Sequence, residues 1–130
     1  MIDHLSLLVT DFERSLRFYL EALAPLGYEI MIDLKREQIP DLPAPRICGL
    51  GAGKPDVWLS PCQGKPTNVH LAFTAVDRAQ VDAFYEAAIR AGGVDNGKPG
   101  PRPQYHPGYY GAFVLDPDGH NIEACCHTPP

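Results

Sequence analysis

Apolar and polar residues alternate near the start of the chain and again just after its midpoint. The two alternating segments, 2–9 and 69–73, each carry a histidine that shares a strand face with every second residue. Both segments are therefore predicted to be β-strands. Each is followed by apolar residues spaced three and four positions apart, which predicts a helix with one buried stripe. The stripe positions are Phe12, Leu16, Tyr19, Leu20 and Leu23, then Val81, Phe84, Tyr85, Ala88 and Ile89.

Polar residues mark where these helices begin. Thr10 followed by Glu13 fits a capping box, in which each side chain bonds a free backbone amide of the other residue. Asp77 and Gln80 offer the same arrangement before the second helix. Both helices are therefore predicted to start directly after these caps.

Short β-prone segments separated by Pro and Gly follow each helix. A tight turn at 116–119 joins the last two segments of the chain, 109–115 and 121–125. Prolines are concentrated at 40–45 and 99–107, which are predicted to be loops that shape a pocket. The predicted strands lie at 28–32, 46–48 and 56–59 in the first half, and at 94–105 (less clearly), 109–115 and 121–125 in the second.

The two halves are copies of one unit. Sliding the sequence against itself by 66 positions gives seven identities between residues 4–27 and their counterparts. We therefore predict one domain, 1–130, made of two βαβββ repeats at about 1–66 and 67–127. The identical pairs are His4 and His70, Leu5 and Leu71, Asp11 and Asp77, Phe18 and Phe84, Tyr19 and Tyr85, Ala22 and Ala88, and Gly27 and Gly93.

Composition narrows the classes of partner. The 130 residues carry a net charge of −5 with no run of Lys or Arg, which argues against nucleic-acid binding. No apolar stretch approaches the ~20 residues of a membrane span, and the start lacks the basic region of a secretory signal. We expect a cytoplasmic protein that acts on a small molecule and binds neither nucleic acid nor membrane.

Four cysteines do not suggest disulfides. Two of them are adjacent, and their spacing matches neither a zinc ribbon nor a small secreted scaffold. The Cys125-Cys126-His127 segment could bind a metal or react, but buried cysteine without such a role is the commoner case. We therefore expect four reduced thiols.

His4 and His70 are the informative pair. They occupy equivalent positions on the first strand of each repeat, and adjacent first strands in one curved sheet would aim both imidazoles into the same concavity. Imidazole is a common metal ligand. Glu123 lies between apolar residues on the last strand, where an unpaired carboxylate is costly. Aligning 51–59 with 116–124 places Trp58 at the position equivalent to Glu123.

The sequence resembles the vicinal oxygen chelate superfamily, which includes glyoxalase I, bleomycin-resistance proteins, fosfomycin-resistance thiol transferases and extradiol dioxygenases. The resemblance rests on the repeat, the His-bearing first strand and the LDPDGHNIE segment at 115–123, and it covers nearly the whole chain. It implies an α+β fold in which two βαβββ modules form a curved mixed sheet around a cavity, with the helices outside.

The resemblance also implies a metal site on His4, His70 and Glu123. The ion would be Fe, Mn, Zn, Ni or Co and would bind a substrate through two neighbouring oxygens. Glyoxalase I has a second glutamate where this chain has Trp58, which weakens an isomerase assignment. Lyase, thiol transferase and dioxygenase chemistry stay open, as does any use of glutathione.

Cavity residues follow from the same resemblance. Strand alternation places Tyr109, Gly111 and Phe113 on one face, which the resemblance turns toward the cavity. Trp58 and Phe113 would form an aromatic wall, and His120 is expected to point outward from its turn. Side chains of the proline-rich loop are expected to orient a polar substrate: Arg102, Tyr105, His106 and Tyr109.

Two further questions stay open at the level of sequence. A metal-free protein that binds or sequesters a small molecule, of the bleomycin-resistance type, is the alternative to an enzyme. The resemblance also implies a homodimer, in which His4 of one subunit could join His70 and Glu123 of the other. The site could equally lie within one chain.

Overall fold

Each half of the chain folds as a strand, a helix and three further strands. The computed structural model describes residues 1–129. A short 3-10 turn, Ala24–Leu26, extends the first helix. The first half contains β1 (Leu5–Val9), α1 (Phe12–Leu23), β2 (Glu29–Lys35), β3 (Arg46–Gly51) and β4 (Pro55–Pro61), and the second contains β5 (His70–Thr74), α2 (Arg78–Arg90), β6 (Val94–Pro101), β7 (Tyr110–Leu115) and β8 (Asn121–Cys126).

The two sheets have the same topology. Their strand orders are β1-β4-β3-β2 and β5-β8-β7-β6, with the first and last strand of each module parallel and the other pairs antiparallel. Ser6 lies opposite Trp58 in the first sheet, and Ala72 lies opposite Glu123 in the second. The predicted α+β fold of two βαβββ modules is confirmed, and Trp58 and Glu123 hold equivalent places.

The two sheets do not join into one within the chain. Among the residues that the structure describes, no ladder connects β1 to β5, so each strand keeps one free edge. A cleft of about 410 Å³ lies between these edges, lined in part by Leu5, Val57, Leu71 and Phe73. The curved sheet expected from the sequence is therefore two separate four-stranded sheets.

Both helices bury most of their predicted stripes between the modules; the exception is Ile89, which is 37% exposed. α1 packs against α2, and the core cluster combines residues from both modules. Neither helix, nor any other within residues 1–129, is long and apolar enough to span a membrane. The most deeply buried large side chains include Leu7, Phe18, Tyr19, Leu23, Leu50, Leu59, Phe84, Val114 and Ile122.

The helix caps differ in part from the prediction. Asp11, rather than Thr10, caps α1, because its Oδ1 accepts from the Arg14 amide at 3.1 Å. The Thr10 hydroxyl instead donates to Asp118 in the other module. Asp77 caps α2 as predicted, accepting from the Gln80 amide at 2.8 Å.

The turn between β7 and β8 fastens the two modules together. His120 is buried, so the expectation that it points outward is wrong. Its Nε2 atom lies 2.9 Å from the Leu8 carbonyl oxygen, and its Nδ1 accepts from the Val69 amide at 3.1 Å. Asp116 in the same turn accepts from the Tyr19 hydroxyl of α1 at 2.5 Å. These bonds hold the end of β1 against the start of β5 and β8.

Candidate metal centre

His70 and Glu123 meet on the open face of the second sheet. His70 opens β5, and the parallel pairing with β8 sets it opposite Asn121, two residues before Glu123. His70 Nε2 lies 3.1 Å from Glu123 Oε2. The other ring nitrogen, Nδ1, lies 3.0 Å from the Asn121 carbonyl oxygen. Because a carbonyl only accepts, Nδ1 carries the hydrogen. In a neutral ring, Nε2 then carries a lone pair, and this lone pair faces the Glu123 carboxylate. Two electron-rich atoms so close together favour a proton or a metal ion between them.

The Glu123 carboxylate is almost fully buried, with 3% of the residue exposed. The Tyr109 hydroxyl donates to Glu123 Oε1. Burial is the main cause that raises the pKa of Tyr109, and the hydrogen bond to this carboxylate is the second. The phenol therefore stays protonated and donates. Gly111 makes room beside the pair, because a Cβ there would lie 3.1 Å from Glu123 Oε1. The carboxylate therefore has a fixed orientation toward His70.

Phe113 forms one wall beside this pair. Its ring stacks on His70 with centroids 6.0 Å apart and an interplanar angle of 29°. The Arg102 guanidinium lies 5.6 Å from the Phe113 ring centroid, and its Nη2 donates to the Lys98 carbonyl at 2.7 Å. This arrangement places a flat apolar surface beside His70 and a positive charge over the Phe113 ring.

Tyr109 lies within a group of aromatic and histidine rings. Tyr105 and His106, both predicted for the cavity, contact its ring edge-on with centroids 5.0 and 5.4 Å away. His127 does so at 5.1 Å. In the sequence, His127 stood out only beside the neighbouring cysteines. Its place four residues after Glu123, which continues the same alternation just beyond β8, was the available signal.

His4 and Trp58 lie in the first module. His4 directly precedes β1, its side chain is 57% exposed, and its Nδ1 lies 2.7 Å from Asp3 Oδ1. Trp58 covers Gly49, where a Cβ would lie 3.0 Å from the indole ring. Within the described part of the chain, no hydrogen bond or ion pair links His4 to His70 or Glu123. One chain thus brings together two of the three predicted ligands.

Another group has the composition of a metal site. Asp116, Asp118 and His120 offer ligand atoms within 4.8 Å of one another, and in residues 1–129 no other group of three or more His, Cys, Asp or Glu does so. Their atoms are already engaged by protein partners. Asp116 accepts from the Asp118 and His120 amides at 2.9 and 2.8 Å, and both His120 nitrogens are bonded. The group therefore has a structural role between the modules.

The cysteines form no metal cluster within the described residues. All four are free thiols, as predicted. Strand alternation separates Cys125, on the open face with Glu123, from Cys126, which packs with Ala75 and Ala112 in the core. Burial raises the pKa of Cys125, which keeps it a neutral thiol.

Comparisons with known proteins agree on one family. A model of the Glyoxalase/Bleomycin resistance protein/Dioxygenase superfamily matches residues 1–124. No curated protein matches the sequence. A glyoxalase/bleomycin resistance protein from Albidiferax ferrireducens is 27% identical with a TM-score of 0.72, and the match covers 95% of this chain and 96% of that one.

Two other solved structures extend this likeness. A glyoxalase I mutant from Zea mays is 27% identical with a TM-score of 0.71, and the match covers 95% of this chain but 46% of the maize protein. A glyoxylase/bleomycin resistance protein/dioxygenase domain from Frankia has the same fold, with a TM-score of 0.73, 19% identity and coverage of 98% and 97%. The chain belongs to the glyoxalase/bleomycin resistance protein/dioxygenase superfamily.

Proposed function

We propose that this protein is a metal-dependent enzyme in which a divalent ion, held by His4, His70 and Glu123, binds a small substrate through two neighbouring oxygens. The orientation of His70 is the observation that carries the proposal. Its Nδ1 is turned to the Asn121 carbonyl, which leaves Nε2 aimed at a buried carboxylate. A carbonyl partner on the second nitrogen is typical of a metal-bound histidine.

The chemistry of the donor set fits such an ion. Two imidazoles and one carboxylate form a three-ligand set that leaves coordination positions open for substrate, as in non-haem iron and manganese sites. Glu123 needs a positive partner because its carboxylate is buried. Tyr109 and Gly111 then act on Glu123 rather than on substrate, the first by a hydrogen bond and the second by leaving space.

The site is proposed to be completed across a homodimer. His70 and Glu123 lie in the second module and His4 in the first, where it contacts Asp3 instead. β1 and β5 each keep a free edge, and unpaired edges are the surfaces through which strands of a second chain add. A two-fold arrangement that sets β1 of one subunit beside β5 of the other brings His4 toward His70, and it does so twice.

The surrounding residues restrict the reaction. When bound, a divalent ion polarises the substrate oxygens and stabilises a developing oxyanion. Phe113 and Trp58 offer flat surfaces to a planar or apolar body, and Arg102 offers a positive charge. Trp58 cannot take up a proton at the place equivalent to Glu123. This favours lyase, thiol transferase or dioxygenase chemistry over proton transfer between two substrate carbons.

Mixing two variants that each lack one proposed ligand tests both the ligand set and the shared site. His4→Ala and Glu123→Gln are purified separately, reconstituted with Fe²⁺, Mn²⁺, Zn²⁺, Ni²⁺ or Co²⁺, and analysed for bound metal alone and after mixing under exchange conditions. Each variant alone should lose the site. In a shared site, random exchange regenerates about a quarter of the wild-type sites, because half the dimers are mixed and each holds one intact set.

Two outcomes of this experiment would contradict the proposal, one for the shared site and one for the ligands. A site within one chain regenerates nothing on mixing. Full metal retention in both single variants would exclude these ligands. The control is the mass of the wild-type protein, measured by light scattering, because subunits can exchange only if the protein is a dimer.

A metal-free binding protein is the second candidate. A protonated His70 would satisfy the Glu123 carboxylate without an ion, and the Trp58 and Phe113 rings would hold a planar ligand. Thermal unfolding separates the two functions. Stabilisation by a planar compound that chelator leaves unchanged supports binding, whereas stabilisation by divalent metal that chelator reverses supports the enzyme.

A further inference from the structure

Two histidines outside the His70–Glu123 pair meet at the end of the second module. His106 lies in the loop between β6 and β7, and His127 directly follows β8. His106 Nε2 lies 2.9 Å from His127 Nδ1, and the rings are nearly parallel, with centroids 5.1 Å apart and 22° between their planes. Both side chains are exposed, so burial does not force this contact.

The His106 ring is oriented as metal-binding histidines are. Its Nδ1 lies 2.8 Å from the Pro107 carbonyl oxygen. A carbonyl only accepts, so Nδ1 carries the hydrogen and the Nε2 lone pair is directed at His127. Such a carbonyl partner fixes the tautomer and ring direction of histidine ligands in metal sites.

The backbone around the two rings holds them close. Gly108 has a φ of +91°, and a Cβ there would lie 3.5 Å from the His127 carbonyl oxygen and 3.7 Å from the Pro129 nitrogen. The loop and the C-terminal segment are therefore in direct backbone contact. The Tyr109 ring meets both imidazoles edge-on, with centroids 5.4 and 5.1 Å away. The contact is thus built from a glycine turn and an aromatic support.

We propose that His106 and His127 form a second metal site, distinct from His70 and Glu123, that takes a divalent ion of tetragonal geometry such as Ni²⁺ or Cu²⁺. The hydrogen bond between the rings sets a nitrogen separation that suits one coordination geometry without moving the rings. Two nitrogens about 2.05 Å from an ion are about 2.9 Å apart at a right angle and about 3.3 Å apart at a tetrahedral angle. The observed 2.9 Å matches the right angle, which square-planar and octahedral Ni²⁺ and Cu²⁺ prefer and tetrahedral Zn²⁺ does not.

This site does not depend on the proposed function. Its ligand atoms are His106 Nε2 and His127 Nδ1, and the Tyr109 ring contacts both imidazoles. When an ion replaces the hydrogen bond, the hydrogen of His127 Nδ1 moves to Nε2 of the same ring, which is exposed to solvent. Water would fill the other positions, since both histidines are open to solvent. An ion there would clamp the proline-rich loop to the end of β8. It would also immobilise the Tyr109 ring whose hydroxyl holds Glu123.

Nickel is the probe for the test, because it does not oxidise the free thiols. Tag-free full-length protein carrying His70→Ala, which removes a ligand of the first centre, is titrated with Ni²⁺ by calorimetry. His127→Ala is then added to that background. The expected result is one Ni²⁺ per chain before the addition and at least a tenfold weaker affinity after it, since even outer partners of metal ligands affect affinity by about 10–100-fold.

A matched variant separates a metal ligand from a hydrogen-bond partner. His127→Asn keeps a side-chain N–H donor for His106 but supplies a poor nickel ligand, so it should weaken Ni²⁺ binding as His127→Ala does. In ¹⁵N-labelled protein, Ni²⁺ should broaden the imidazole signals of His106 and His127 first. Less than a twofold change in affinity in both variants, or broadening confined to other histidines, would overturn the second site.

Discussion

His70 Nε2 lies 3.1 Å from Glu123 Oε2, although 53 positions separate the two residues in the sequence. The parallel pairing of β5 with β8 creates this contact, because the register sets His70 two residues from Glu123 on the same face. The carboxylate is buried and the histidine is half exposed. The pair therefore presents an accessible imidazole backed by a buried carboxylate, which is the arrangement that the proposed metal centre requires.

Removing the Tyr109 hydroxyl should weaken metal binding. Tyr109→Phe frees Glu123 Oε1 from its donor, so the carboxylate loses its fixed orientation toward His70. We expect affinity for the divalent ion to fall about 10–100-fold, with only about 1 kcal/mol lost from the free energy of unfolding. Equilibrium dialysis and urea unfolding measure the two effects. Tyr105→Phe is the matched control, since that ring is 59% exposed; equal affinities in the two variants would contradict the role.

Loss of the His120 ring should loosen the junction of the two modules. His120→Ala leaves the Leu8 carbonyl and the Val69 amide without their partner. Unpaired buried polar groups cost about 1–3 kcal/mol each, so we expect the free energy of unfolding to fall by about 2–4 kcal/mol. Urea unfolding at pH 7.5 measures this. His4→Ala, at an exposed histidine, should change it by less than about 0.5 kcal/mol; a similar small effect at His120 would show that the contacts do not stabilise the fold.

Asp33 should contribute stability that acid removes. The Arg46 guanidinium donates twice to Asp33, at 2.9 Å each, and holds the pKa of that carboxyl below its usual value. The unfolded chain therefore binds the proton first as pH falls, and the stabilisation is lost as pH drops through the lowered pKa. The advantage of wild type over Asp33→Asn should be full above about pH 5 and should shrink as the pH falls below the unfolded-state pKa of about 4. Glu13→Gln, at the exposed end of the same network, is the control.

The thiols should differ sharply in reactivity. Burial raises the pKa of Cys48 to about 12 and also raises that of Cys125, so neither supplies much thiolate at pH 8. Cys126 is buried as well, whereas Cys62 is partly exposed. Native protein should show one fast thiol with a disulfide reagent and four after denaturation. The fast phase should disappear in Cys62→Ser; its persistence would place the reactive thiol elsewhere.

The fold followed from patterns that are local in the sequence. Period-two alternation and helical spacing depend on neighbouring residues, and the 66-residue repeat carries the same local patterns into the second half. Together they predicted the order of elements in both modules. Alternation also placed Gly111 and Phe113 on the face that carries Glu123, because side-chain direction in a strand follows from position alone. The repeat predicted equivalent places for His4 and His70. The registers give equivalent pairings to the residues that follow them, Leu5 and Leu71, whereas His4 itself precedes β1.

Contacts between distant segments were not predictable in this way. The cap moved from Thr10 to Asp11 because Asp118, more than a hundred residues away, takes the Thr10 hydroxyl. His120 turned inward because the carbonyl of Leu8 and the amide of Val69 both reach it. Each outcome depends on which partner the folded chain brings near, and no local pattern encodes that choice.

The sequence by itself determined two similar modules, the strand faces and the residue types able to bind a metal. Only the tertiary structure decided that Glu123 joins His70 and Tyr109, that His4 stays apart from them in one chain, and that His106 meets His127. The physical reason is that side-chain direction is set by short-range backbone geometry. The distance between two side chains is set instead by how whole sheets and loops pack, which depends on the chain as a unit.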